Sequence, residues 1–238
     1  MAASVLIAED DHHVRAALRE VLEDEGYDVS EVVDAESVIE HLREAGPPDV
    51  VIVELMLGDM DGFTCIRAVR NEHDVPIIVV SERDDTHDVV GALEAGADDY
   101  VTKPFEVKEV TARVRALRRR AGLTAAAQRT VLADVTLDPD PDAPLVLAPD
   151  SGTLHRGSDE IHLTITEFRL LCELAETPGR VLSRNVLLER VWDEGFFGDE
   201  RIVDVHIRRL RTKIESDPSD PQLVVTVRGM GYRLDIER

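Results

Sequence analysis

Five apolar, β-branched runs alternate with stretches of helical periodicity through the first 120 residues, at 5–8, 29–33, 50–53, 76–80 and 100–102. After the first run, Val14, Ala17, Leu18, Val21 and Leu22 recur at i, i+3, i+4, i+7 and i+8, one apolar helix face, and Gly26 stops it. Gly46 and Gly96 end the second and fourth helices in the same way. The fifth carries Val107, Val110, Val114 and Leu117, then Arg118-Arg119-Arg120, a basic end suited to a helix C-terminus. Near-continuous apolar strands alternating with helices predict an α/β fold, a doubly wound five-stranded parallel sheet covered on both faces. In such sheets ligands sit beyond the carboxyl ends of the strands. Glu9, Asp10, Glu54, Ser81 and Lys103 all fall there, so they are expected to form one acidic pocket, with the Asp61-Gly62 turn beside it.

Charge is unevenly spread. The chain has 238 residues and a net charge of −22, which by itself argues against nucleic acid. Residues 1–120 hold 28 acids and 13 bases, a net of −15, whereas residues 160–238 hold 15 acids and 12 bases, a net of −3. The second half is nearly balanced and its arginines cluster, which permits a basic face on an acidic molecule, with strongly salt-dependent DNA binding. No run approaches the roughly 20 apolar residues of a membrane span. The N-terminus turns acidic at Glu9, too soon for a signal peptide. Cys65 and Cys172 are the only cysteines, so no disulfide framework or four-cysteine zinc site is available and a cytoplasmic setting is expected.

Three segments follow from these patterns: a first domain over 1–120, a small, alanine-rich linker over 121–133, and a second domain over 134–238. Residues 134–163 read as small strands with an irregular, proline-rich insertion at Asp138-Pro139-Asp140-Pro141-Asp142. Thr164 and Glu167 form a capping box opening a helix through Ala175, and Ser183 caps a second helix through Trp192. A third, about Arg201 to Glu215, buries Val203, Ile207, Leu210 and Ile214 and turns Arg201, Arg208, Arg209 and Thr212 to the opposite face. Two strands joined by Gly229-Met230-Gly231 close the chain as a hairpin. A helix pair, an arginine-faced third helix and a hairpin are the parts of a winged helix-turn-helix.

The pocket residues resemble, in order and spacing, the receiver domain of a bacterial response regulator, which has a flavodoxin-like fold. Thr166-Glu167-Phe168, Arg190-Val191-Trp192, the run Arg201 to Arg211 and Thr226-Val227-Arg228-Gly229-Met230-Gly231-Tyr232-Arg233 closely resemble the winged helix of OmpR/PhoB-type regulators. The resemblance implies a two-component transcription regulator rather than an enzyme. Its partners would be promoter DNA, a second copy of the chain, RNA polymerase and a sensor histidine kinase, with no membrane. It implies major-groove reading by Arg201, Arg208 and Arg209, a minor-groove contact by Arg228, and phosphate contacts by Trp192, His206, Arg211, Thr226 and Tyr232. Ile202 stands where threonine is common, and would touch a thymine methyl. A dimer through the fourth helix, fifth strand and fifth helix would pair Asp99 with Arg113 and Glu94 with Arg115 across subunits. Glu109 would meet a basic residue where this chain has Val89, and Tyr100 is the expected switch aromatic.

One departure dominates. The family's phosphoacceptor is an aspartate, and here that position is Glu54. Phosphoryl transfer needs an in-line carboxylate, Mg²⁺ held by neighbouring acids, here Glu9 and Asp10, and a lysine, here Lys103. The extra methylene moves the carboxylate outward, toward where phosphoryl oxygens would sit. Glutamate there is expected to imitate the phosphorylated state by pairing with Lys103 and Ser81, with any Mg²⁺ bound weakly. Two further departures point the same way: Leu57-Gly58-Asp59-Met60-Asp61-Gly62 replaces the usual loop, and Glu82 replaces a small residue. A conventional phosphorylation switch that tolerates glutamate is the alternative. A Mg-dependent phosphohydrolase of the haloacid dehalogenase type needs an Asp-x-Asp after the first strand, and Glu9-Asp10-Asp11 does not supply that spacing.

Overall fold

The computed structural model describes residues 2–58, 60–122, 133–192 and 200–236. The chain divides into two compact units, Met1–Arg118 and Arg119–Arg238. In chain order the first contains β1 (Ser4–Ala8), α1 (His12–Asp24), β2 (Asp28–Val32), α2 (Ala35–Ala45) and β3 (Val50–Val53). A small hairpin follows, β4 (Met56–Leu57) with β5 (Met60–Asp61), then α3 (Gly62–Glu72), β6 (Ile77–Ser81), α4 (Thr86–Ala95), β7 (Asp99–Thr102) and α5 (Val107–Gly122). Helix α5 thus runs to the start of the expected linker 121–133, whose residues 123–132 lie outside the described residues, as does Asp59 of the loop after Glu54.

The five longer strands make one parallel sheet in the order β2-β1-β3-β6-β7. That is the doubly wound order whose crevice opens at the ends of β1 and β3. Strand β3 is buried along its whole length, as a central strand covered by helices on both faces must be. Acidic residues start the helices: Asp11, Asp34, Asp61 and Asp85 each cap one, their carboxylates accepting backbone N–H groups of the first turn. Part of the chain's negative charge therefore serves helix starts. Gly62 begins α3 directly beneath the pocket. A Cβ there would lie 2.5 Å from the Cα of Leu55 and 2.9 Å from the carbonyl oxygen of Glu54, so only glycine lets α3 start so close to the end of β3.

The second unit opens with a four-stranded antiparallel sheet in the order β11-β10-β9-β8, from β8 (Val135–Asp138), β9 (Leu145–Ala148), β10 (Thr153–Arg156) and β11 (Asp159–Glu160). Then come α6 (Ile165–Ala175), α7 (Arg184–Trp192), α8 (Arg201–Ile214) and a hairpin of β12 (Val224–Val227) with β13 (Gly231–Leu234). The Thr164–Glu167 capping box is formed, and the Ser183 hydroxyl accepts the Val186 N–H at 3.2 Å. Leu182 bridges to Tyr232, extending the hairpin by one more backbone segment. The architecture is a winged helix.

Glu167 does more than cap. It is fully buried, yet Arg209 lies 3.0 Å from one carboxylate oxygen and Lys213 lies 2.7 Å from the other. Both cations belong to α8, so one buried carboxylate joins the start of α6 to the second half of α8. Burial alone would push this carboxyl up, but the charges of Arg209 and Lys213 outweigh it and hold its pKa below the ordinary 4.5. Its contribution to stability is therefore complete above 4.5 and is lost as the pH falls through the depressed value. Glu167→Gln is expected to cost about 3 kcal/mol at neutral pH, the usual range for breaking a buried ion pair. Urea unfolding of both chains should show that difference shrinking below pH 4.5; a constant gap would place the loss in packing instead.

Candidate functional site

The acidic pocket assembles at the carboxyl edge of the sheet. Glu54 follows β3, and its backbone N–H donates to the Ala8 carbonyl at 2.9 Å, which fixes it beside the end of β1. Glu9 follows β1 and its N–H donates to the Val32 carbonyl at 3.2 Å. Lys103 follows β7, its N–H donating to the Ser81 carbonyl at 2.7 Å, and precedes a cis peptide bond to Pro104. The ends of β1, β3 and β7 thus deliver the charged groups to one edge of the sheet.

Lys103 is the hub. Its Nζ lies 2.8 Å from Glu9 Oε2 and 2.7 Å from Glu54 Oε2, and both carboxylates are buried. The other oxygen of Glu54 accepts a short hydrogen bond from the Ser81 hydroxyl and a bond from the Met56 N–H at 3.1 Å. Both oxygens of Glu54 are engaged, by the hydroxyl and the ammonium together. Glu9 Oε1 accepts the Asp11 N–H at 3.2 Å. Burial pushes the Glu9 carboxyl up by more than Lys103 pulls it back. Burial also works against the Lys103 ammonium, but Glu54 and Glu9 outweigh it and hold its pKa above the ordinary value. Tyr100 is buried, its hydroxyl donating to the Arg83 carbonyl at 2.5 Å, and burial raises its pKa to about 12.

This arrangement does not fit a divalent cation between Glu9 and Glu54, because the ammonium already stands between them. Asp10, expected to share Mg²⁺ with Glu9, is exposed and lines a separate hollow with Met56, Asp61 and Arg83. Among the described residues no three acid, histidine or cysteine side chains converge as metal ligands would. Glu82 is exposed and lines a groove with His13, Lys103 and Phe105.

One ion pair expected across a dimer, Asp99 with Arg113, is formed within one chain. Arg113 is bound to Asp99 at 2.8 Å and to Glu109 at 2.6 Å, both in its own chain. Arg115 lies 3.5 Å from Glu25, which follows α1, and Glu94 is exposed on α4. Val89 is half-buried on α4.

On α8 the expected DNA contacts divide. Arg201 and Arg208 lie on the exposed ridge, and Thr226 and Arg228 are exposed on the wing. The others are turned inward. Arg209, expected as a base reader, faces α6 and pairs with Glu167 at 3.0 Å. Arg211, expected at a phosphate, donates to the Val224 carbonyl through Nε at 2.8 Å and Nη2 at 2.5 Å, and to Thr226 Oγ1 at 2.8 Å. Trp192 and His206, expected at phosphates, are 3% and 0% exposed, with their rings 5.4 Å apart. Tyr232 is 4% exposed with its hydroxyl donating to Asp204 at 2.5 Å. Ile202, expected at a thymine methyl, is 5% exposed. Sequence reasoning passed over Asp204 and Arg184, whose side chains meet at 2.6 Å. The available signal was a lone acid on an otherwise basic helix face.

Comparisons with known proteins agree with both halves. Residues 5–115 match the response regulator receiver domain family, and residues 158–234 match the family described as transcriptional regulatory protein, C terminal. The chain is 45% identical over 232 residues to the transcriptional regulatory protein CseB of Streptomyces coelicolor, covering 97% of each. It is 41% identical over 233 residues to the DNA-binding response regulator MtrA of Mycolicibacterium smegmatis, covering 98% of this chain and 97% of that one. Among solved structures, a RitR mutant with a cysteine replaced by serine superimposes with a TM-score of 0.75 at 25% identity, over 99% of this chain and all (100%) of that one. DrrB of Thermotoga maritima, an OmpR/PhoB homolog, gives 0.51 at 30% identity over 99% and 100%. No described helix is long and apolar enough to cross a membrane. A receiver domain implies a sensor kinase as partner and Mg²⁺ in phosphorylation, and the C-terminal domain implies promoter DNA. The chain belongs to the two-component response regulators of the OmpR/PhoB type, DNA-binding transcription regulators built from a receiver and a winged helix.

Proposed function

We propose that this regulator works without phosphorylation, its receiver held in the switched arrangement by Glu54. What carries the reading is the double engagement of that one carboxylate by the Ser81 hydroxyl and the Lys103 ammonium. Those are the hydroxyl and the cation that would otherwise grip phosphoryl oxygens. The added methylene extends the side chain by about 1.5 Å, one carbon–carbon bond, and so carries negative charge out to them. The inward position of Tyr100 accords with the same state. In-line attack on a phosphodonor by Glu54 would require breaking both contacts and displacing the charge from a buried, paired site.

Downstream, Arg201 and Arg208 read base edges in the major groove, Arg228 enters the minor groove, and Thr226 lies at the phosphates. The protein acts in the cytoplasm on promoter DNA, with RNA polymerase as its further partner, and it catalyses no reaction. Self-association uses the face of α4, β7 and α5. Because Arg113 is already satisfied by Asp99 and Glu109, that face contributes weakly by itself, and two half-sites on DNA firm the dimer.

Treatment of the protein with a small-molecule phosphodonor and Mg²⁺, followed by intact-mass measurement, is expected to leave the mass unchanged. Addition of one phosphoryl group that disappears in Glu54→Gln would overturn the reading in favour of a conventional switch. Lys103→Met should lower stability by about 3–5 kcal/mol at neutral pH, since two buried carboxylates lose their cation. The deficit should narrow as the pH falls, because burial already favours protonated Glu9. In the unaltered chain the ammonium's contribution is complete below 10.5 and is lost only as the pH climbs through its raised value, a sign that denaturant melts at high pH would check. Arg208→Ala should weaken binding to a selected DNA site by about 1–3 kcal/mol and relax its sequence preference, measured by fluorescence anisotropy against single-base variants.

A further inference from the structure

Helix α8 presents three working sides. Arg201, Arg208 and Thr212 share its exposed ridge, two turns and then one turn apart. On one flank Arg209 and Lys213 bind Glu167 of α6. On the other flank, two turns apart, Asp204 and Arg211 face the wing.

Four side chains close that second joint. Asp204 Oδ1 accepts from the Tyr232 hydroxyl at 2.5 Å and from Arg184 Nε at 2.6 Å. The Arg184 guanidinium lies 5.2 Å from the centroid of the Tyr232 ring and that of Arg211 lies 5.6 Å from it. Arg211 in turn holds the Val224 carbonyl and the Thr226 hydroxyl of β12. Tyr232 sits on β13 and also exchanges two backbone hydrogen bonds with Leu182, at 2.8 and 2.9 Å. The recognition helix is thereby tied to both wing strands and to the start of α7 by polar contacts of fixed geometry. Apolar packing alone would tolerate sliding; a carboxylate accepting from both a phenol and a guanidinium does not.

We propose that Asp204 and Arg211 are positioning residues that weld α8 and the wing into one rigid reading head. The spacing between the major-groove ridge and Arg228 in the adjacent minor groove is then a built-in specificity element. The proposal rests on the reading of Arg208 and Arg228 as DNA contacts. When both contacts ride on one rigid body, the second forms at high effective concentration only if the DNA presents both at the matching distance. A loosened joint lowers that gain and at the same time relaxes the demand for the distance.

The probe is a duplex selected by the full-length chain from a randomised pool, together with a derivative carrying one extra base pair between the major-groove contact and the wing's minor groove. Dissociation constants are measured at one fixed salt concentration, because phosphate contacts make affinity salt-dependent. The unaltered protein is expected to lose about tenfold or more on the lengthened duplex, through loss of the second, intramolecular contact. Asp204→Asn and Tyr232→Phe should bind the parent duplex more weakly, yet lose less than about threefold between the two duplexes. A merely structural role would weaken both duplexes alike and leave the ratio as it was. Tyr232→Phe removes a single hydroxyl and keeps the ring between its guanidiniums, so it decides the matter if Asp204→Asn fails to fold by circular dichroism. An unaltered ratio in the folded variants, or no penalty in the unaltered protein, would overturn the proposal. Arg208→Ala and Arg228→Ala chains that bind the parent duplex normally would instead overturn the underlying assignment of DNA contacts, and the joint's proposed purpose with it.

Discussion

Two carboxylates buried side by side at the end of a parallel sheet repel one another and have both surrendered water. The ammonium of Lys103, within 2.8 Å of each, is what makes the end of this receiver tenable. Because Lys103 projects from β7, Glu9 follows β1 and Glu54 follows β3, one cation ties together strand ends that are not all neighbours in the sheet. Desolvation of a pair this deep commonly equals or exceeds its Coulomb gain, so the cluster defines the arrangement more than it adds net stability. Ser81 completes it by donating to the one Glu54 oxygen that Lys103 does not reach.

The winged-helix unit solves a related problem with the signs of charge reversed. There one carboxylate, Glu167, serves two cations from α8, while Asp204 on the same helix serves a cation from α7 and a phenol from the wing. A helix rich in arginine would otherwise repel itself and its surroundings. Drawing Arg209 and Arg211 inward leaves a narrower exposed ridge of Arg201 and Arg208 on a chain whose net charge is −22.

The sheet and its pocket were legible because strand-end positions follow from apolar runs and their breaks. Residues 5–8, 50–53 and 100–102 each led to a pocket residue that the fold delivers. The pairing of Lys103 with Glu54 was also foreseeable, but its pairing with Glu9 was not, since it depends on distances between separate strand ends. On α8 the 3.6-residue period separated core from surface correctly at Val203, Ile207, Leu210 and Ile214. It failed on the flanks. A flank arginine can face solvent or turn toward a carboxylate, and for Arg209 the deciding partner, Glu167, lies elsewhere in the sequence. The burial of Trp192 and His206 is likewise created by tertiary packing, and local pattern does not report it.

Trp192 is the single tryptophan of the chain, and it sits in the interior of the winged-helix unit with the His206 ring 5.4 Å away. The receiver, by contrast, holds Tyr27 and Tyr100 and no indole. Nature has thus labelled the two halves with different chromophores. Light absorbed at the red edge of the protein spectrum excites only the DNA-binding half, whose emission reports its own melting while the receiver stays dark.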